Sequence, residues 1–105
     1  MAAELPNTPV GRHLGWLLDA LRRAPSADEV KRHFSRTFLT QTPPETLVQS
    51  LELRGGELRG FVLDHFEVDR QRELTAILSR PKGGAYRLAI EVDDQRITRL
   101  QITPA

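Results

Sequence analysis

The chain has 105 residues, 15 of them basic and 14 acidic, and no cysteine. That length supports one compact domain. The missing cysteines exclude a disulfide scaffold and any zinc or iron–sulfur site built on thiolates. The nearly cancelling charges give no footing for a polyelectrolyte partner, and no apolar run approaches the roughly 20 residues of a membrane span. The start, Met1-Ala2-Ala3-Glu4-Leu5-Pro6, lacks a basic segment followed by an apolar one, so it does not read as a secretory signal. A soluble, cytoplasmic protein is the default expectation.

The first half reads as helices. Thr8 is placed to cap a helix and Pro9 to occupy its first turn. Val10, Leu14, Leu17, Leu18 and Leu21 then recur at helical spacing and form one apolar stripe. Arg22 and Arg23 fall in the last turn, where cations complement unpaired carbonyls, and Pro25 ends the element. Ser26-Ala27-Asp28-Glu29 matches a capping box, and Val30, His33 and Phe34 give the second helix a short buried side. Ser35 to Thr40 continues as a turn or short helix carrying Phe38 and Leu39. Thr42-Pro43-Pro44-Glu45 repeats the capping-box pattern ahead of a third helix with Leu47, Val48 and Leu51 on its apolar side. That helix is expected to end by Arg54-Gly55-Gly56, since glycine is the usual exit residue.

The second half reads as strands. Glu57 to Asp69 is long for one strand, and Gly60 within it suggests a bulge or bend. Glu73 to Arg80 is a second strand, stopped by Pro81, and Lys82-Gly83-Gly84 makes a hairpin turn. In the third, Ala85 to Val92, Tyr86, Leu88, Ile90 and Val92 share one side and Arg87 and Glu91 the other. After a turn at Asp93-Asp94-Gln95 comes Arg96 to Thr103, with Thr98, Leu100 and Ile102 on one face and Arg99 and Gln101 on the other. Three helices over about 8–54, followed by a four-stranded meander over 57–103, predict a single α+β domain. Its antiparallel sheet is covered on one face by the helices.

The stretch Gly11-Arg12-His13-Leu14-Gly15-Trp16-Leu17-Leu18-Asp19-Ala20-Leu21 resembles the opening helix of the N-terminal domain that precedes β-lactamase-like serine hydrolases of actinobacteria. His33-Phe34-Ser35 with Phe38-Leu39, and Pro43-Pro44-Glu45 with Leu47, resemble its second signature. Tyr86-Arg87-Leu88 through Ile102-Thr103-Pro104-Ala105 resemble its closing strands. The resemblance implies a curved, cystatin-like cone similar to ketosteroid isomerases and polyketide cyclases, with a serine-hydrolase domain in the same polypeptide or as a partner. No Ser-x-x-Lys occurs anywhere in the chain, so no β-lactamase-type nucleophile carries over.

An isomerase-like cone works through a carboxylate base and a carbonyl-polarising acid in an apolar pocket. Asp64 is the candidate base. If Val62, Phe66 and Val68 face the helices, strand parity places Asp64 with them, where desolvation would raise its pKa. The competing reading has Asp64 in water or paired with Arg87 or Arg99. His33 is a candidate pocket acid or base, against a core-edge histidine bonded to a backbone carbonyl. His65 reads as a surface residue, and His13 has no foreseeable partner. Trp16, Phe34, Phe38, Phe66 and Tyr86 are candidate ligand-pocket residues, each with a plainer reading as a packing residue. Tyr86 is also a candidate oxyanion donor. Trp16 and Asp19 share a helix side, with Asp19 read as a surface partner of Arg12 or Arg23. The three histidines share no metal-ligand spacing, so neither metal nor cofactor is expected. The arginines interleave with acids and lack interleaved aromatics, which argues against nucleic acid.

The leading expectation is therefore a non-catalytic accessory or interaction domain, and the enzyme question leans to no. The alternative is a small isomerase- or cyclase-like enzyme, or a binder of an apolar small molecule, using a cavity between sheet and helices. A homodimer through the sheet's outer face is a third expectation, tempered by the polar Arg87, Glu91, Arg99 and Gln101 placed there.

Overall fold

A computed structural model describes residues 4–105. The order of elements is α1 (Pro9–Arg22), α2 (Ala27–His33), α3 (Arg36–Gln41), α4 (Pro44–Glu57), β1 (Val62–Asp69), β2 (Glu73–Ser79), β3 (Ala85–Val92) and β4 (Ile97–Pro104). The strands form one antiparallel sheet in the order β1-β2-β3-β4, and the helices pack against one of its faces. This is the α+β architecture that the sequence pattern predicts, with four helices among the described residues in place of three. The extra one is α3, a short helix where the sequence left a turn or a helix open.

The capping chemistry explains the helix starts. The Thr8 hydroxyl accepts from the Gly11 amide at 3.1 Å, and Pro9 occupies the first turn of α1. At α2 the capping box is complete: the Glu29 amide donates to the Ser26 hydroxyl at 3.1 Å, and the Ser26 amide donates to Glu29 Oε1. Ser35 caps α3 by accepting from the Phe38 amide. The second expected capping box does not form. Thr42 closes α3 instead, donating its amide to the Phe38 carbonyl, so Pro43 becomes the N-cap of α4 with no side-chain bond.

α4 also runs further than expected, through Gly55 and Gly56 to Glu57. The reversal falls at Leu58-Arg59-Gly60, where Gly60 adopts φ 78°, a left-handed conformation that a β-carbon disfavours. Gly60 therefore marks the exit from a helix rather than a bend within a strand, and β1 starts only at Val62.

The core lies between the layers. Val10, Leu14, Leu17, Leu18 and Leu21 of α1 pack with Val30, Phe34, Leu47 and Leu51 on one side. Leu74, Ala76, Leu78, Leu88, Ile90 and Val92 face them from the sheet. Each fully buried leucine or isoleucine contributes about 1.5–3 kcal/mol relative to exposure.

Bulges alter two of the predicted faces. In β4, Glu91 pairs with Arg99 but Val92 pairs with Ile97, which leaves Thr98 as an extra residue. Ile97 is thereby turned into the core and Thr98 is exposed. In β1 the pairing skips Asp64 and Glu67, so alternation fails twice. Leu63 and Phe66 meet the core-facing Leu78 and Ala76, whereas Val62, His65 and Val68 pair with Ser79, Ile77 and Thr75 on the outer face. Val62 is 49% exposed in consequence. On that outer face Arg87 of β3 reaches across β2 to Glu67 of β1, with Nε–Oε1 at 2.7 Å and Nη2–Oε2 at 3.3 Å. The pair spans the strand that carries Ile77, which is only 6% exposed although it pairs with His65 and Arg87 on the outer face.

Candidate functional site

The densest assembly of polar and aromatic groups lies where α1, α2 and the β3–β4 turn meet. His13 and Trp16 are three apart on α1, and Glu29 and His33 are four apart on α2, so each pair shares a helix side. The two sides face each other. His13 Nδ1 lies 3.1 Å from His33 Nδ1, and His13 Nε2 lies 3.1 Å from the Gln95 carbonyl oxygen. The His33 ring stacks on the Trp16 indole, with centroids 4.0 Å apart and planes 10° from parallel. Trp16 Nε1–H donates to Glu29 Oε2 at 3.2 Å, so one carboxylate completes the capping box with one oxygen and anchors the indole with the other. Trp16, Phe34 and Phe38 form a row with centroids 5.9 and 4.7 Å apart, its middle member Phe34 buried and its ends half-buried.

The electrostatics follow from these contacts. Burial pushes His13 below the ordinary histidine range, although the Gln95 carbonyl works against it. Burial also lowers His33, and the neighbouring His13 and Arg32 add to the effect. The Trp16 N–H and then the Ser26 backbone N–H hold Glu29 below the usual carboxylate range. At the adjoining turn the Asp93 carboxylate accepts the amides of Gln95 and Arg96, each at 2.8 Å, and is lowered by both.

The other candidate residues are dispersed. Asp64 occupies a bulge of β1, its side chain 52% exposed and bonded to the adjacent His65. The parity argument that would have turned it inward fails because the strand does not alternate there. Arg87 and Arg99 pair with Glu67 and Glu91 instead. Asp19 pairs with Arg22 rather than with Arg12 or Arg23. Phe66 packs on the core from β1, and the Tyr86 hydroxyl donates to Glu57 Oε2 at 3.5 Å, with the Arg80 guanidinium over its ring. Trp16, Phe34 and Phe38 each border a different surface depression. Trp16 borders one of about 130 Å³ with Asp19, Arg23 and Glu29. Phe34 borders one with Lys31, Arg36 and Arg96. Phe38 lines a groove of about 220 Å³ with Leu47, Leu51, Leu100 and Ile102. Among the described residues, no three histidine or acidic side chains converge as metal ligands would.

The sequence reading missed the His13–His33–Gln95 connection. The signal was present as two matched helix sides, His13 with Trp16 and Glu29 with His33, which pair once the first two helices pack side by side. Spacing along the first helix alone groups Trp16 with Asp19 instead.

The fold and this cluster define a helix-on-sheet α+β domain of a recognised kind. The family model described as "ORF 12 gene product N-terminal" matches residues 5–97, and the chain belongs to that family. The match ends at the first residue of β4. No curated protein matches the chain in sequence.

Proposed function

We propose that this chain is a non-catalytic interaction module, acting beside a serine-hydrolase domain of the same polypeptide or of a partner protein. The observation that carries the reading is the filled interior. The space between sheet and helices, where a ligand pocket of the isomerase type would open, is occupied by Leu14, Leu17, Phe34, Leu74, Leu88 and Ile90, each at most 1% exposed. Asp64 stays at the surface with His65. The family description, which names the N-terminal part of a gene product, agrees with a unit that other chain follows in relatives. The serine-hydrolase partner rests on the sequence resemblance.

Co-elution tests the reading. The chain mixed with a β-lactamase-like serine-hydrolase domain is expected to leave a sizing column as one complex. Leu53→Glu or Val62→Glu, placed at the exposed apolar side chains, is expected to weaken that complex. Separate elution at all concentrations sinks the proposal.

A second reading has one observation in its favour. The groove among α3, α4 and β4 is lined mainly by Phe38, Leu47, Leu51, Leu100 and Ile102, which suits an apolar small molecule. Chemical-shift changes confined to these residues on adding an apolar ligand would favour it, and an unchanged spectrum would remove it.

A further inference from the structure

The His13–His33 pair has a proton arrangement that the geometry dictates. A carbonyl oxygen only accepts, so the 3.1 Å contact with Gln95 requires the hydrogen of neutral His13 to lie on Nε2. His13 Nδ1 is then a lone pair, and the 3.1 Å contact between the two Nδ1 atoms requires His33 to donate from its own Nδ1. One chain of donors therefore runs from α2 through α1 to the β3–β4 turn. A proton added at His33 Nε2 leaves both bonds in place. A second proton, at His13 Nδ1, turns the acceptor into a donor, sets two N–H groups against each other and breaks the His13–His33 link, while the His13 Nε2–H bond to the Gln95 carbonyl persists.

We propose that His13 and His33 form a proton-operated latch between α1 and α2, closed while at least one ring is neutral, which releases α2 from α1 when both are protonated on acidification. The surroundings favour the closed form near neutral pH. Burial disfavours an imidazolium on either ring. Arg12 on α1, Arg32 on α2 and Arg96 on the turn oppose added positive charge, whereas Glu29 on α2 and Asp93 on the turn favour it. Asp93 is occupied by two backbone amides, and Glu29 by the Ser26 amide and the Trp16 indole. The latch is joined to an optical reporter, because His33 stacks on Trp16, the one tryptophan of the chain.

The test uses the intact chain and nitrogen-15 NMR of its imidazoles. At pH 7.5 His13 is expected as the Nε2–H tautomer and His33 as the Nδ1–H tautomer, with a scalar coupling between the two Nδ1 nuclei across the hydrogen bond. That coupling should vanish on acidification while the fold persists. Amide exchange at Lys31 to Phe34 of the α2 end, corrected for its intrinsic pH dependence, should then rise on the order of fivefold, as expected for one lost hydrogen bond, while Gln95 and Arg96, whose amides are held by Asp93, should not follow it. His33→Gln should abolish the pH dependence of the α2 exchange. The same tautomer on both rings at pH 7.5, no coupling at any pH, or α2 exchange with equal pH dependence in His33→Gln would each overturn the proposal.

Discussion

The two adjacent glycines of α4 should respond to alanine with opposite signs. Both lie within the helix at negative φ, so alanine gains roughly 0.5–1 kcal/mol of backbone entropy at either position. At Gly56 a β-carbon meets nothing within 4 Å, and the gain stands. At Gly55 it would overlap the Leu21 carbonyl oxygen at the C-terminal end of α1, with the carbonyl carbon 3.1 Å away. Both atoms are backbone, so relief requires the two helices to separate, and overpacking of that kind costs about 1–3 kcal/mol. The net for Gly55→Ala is a loss of about 1–2 kcal/mol, which lowers Tm by roughly 5–15 °C, whereas Gly56→Ala raises it by a few degrees. Scanning calorimetry on the two variants, supported by urea midpoints, reads the difference. If both variants shift in the same direction, α4 does not run past Leu21 as described, and a helix ending at Arg54–Gly56 would be restored.

Phe34 is 1% exposed and joins the aromatic row to the core, so Phe34→Ala should cost about 3–5 kcal/mol, read as a lower urea midpoint. Asp93→Ala leaves the Gln95 and Arg96 amides without their acceptor and should cost roughly 1 kcal/mol, with faster exchange confined to the β3–β4 turn. Ser26→Ala removes the N-cap of α2 and should cost about 1 kcal/mol, read by thermal denaturation. Both clustered histidines titrate lower in the folded chain than in the unfolded one, so the unfolded state binds protons first as pH falls. Their contribution to stability is complete above about pH 6.5 and is lost below it, levelling off beneath the folded-state values. Urea midpoints at pH 7.5 and 5.5 should therefore differ in the wild type, and differ less when both histidines are replaced by glutamine.

The sequence carried the architecture because its signals are local. Thr8 and Ser26 cap the helices they precede, the leucine stripe of α1 is continuous, and β3 alternates without a break from Tyr86 to Val92. What the sequence concealed depends on distant partners. Gly55 reads as a helix exit until Leu21 is seen lying against it. Asp64 reads as inward-facing until β2 is seen to pair around it, and Thr98 reads as sharing a face with Leu100 and Ile102 until the bulge there turns it out and Ile97 in. The His13–His33 contact joins residues 20 apart and a carbonyl 82 residues from His13, a relation that spacing along one helix does not encode.

The central claim is that this domain binds a partner through its surface while its interior stays packed. Isothermal titration of the intact chain into a β-lactamase-like serine-hydrolase domain, the partner proposed above, tests this most directly. A saturable 1:1 isotherm, weakened by Leu53→Glu or Val62→Glu, is the predicted result. The absence of heat at about 100 µM of each protein, a level that would still reveal a Kd near the micromolar range, would contradict it.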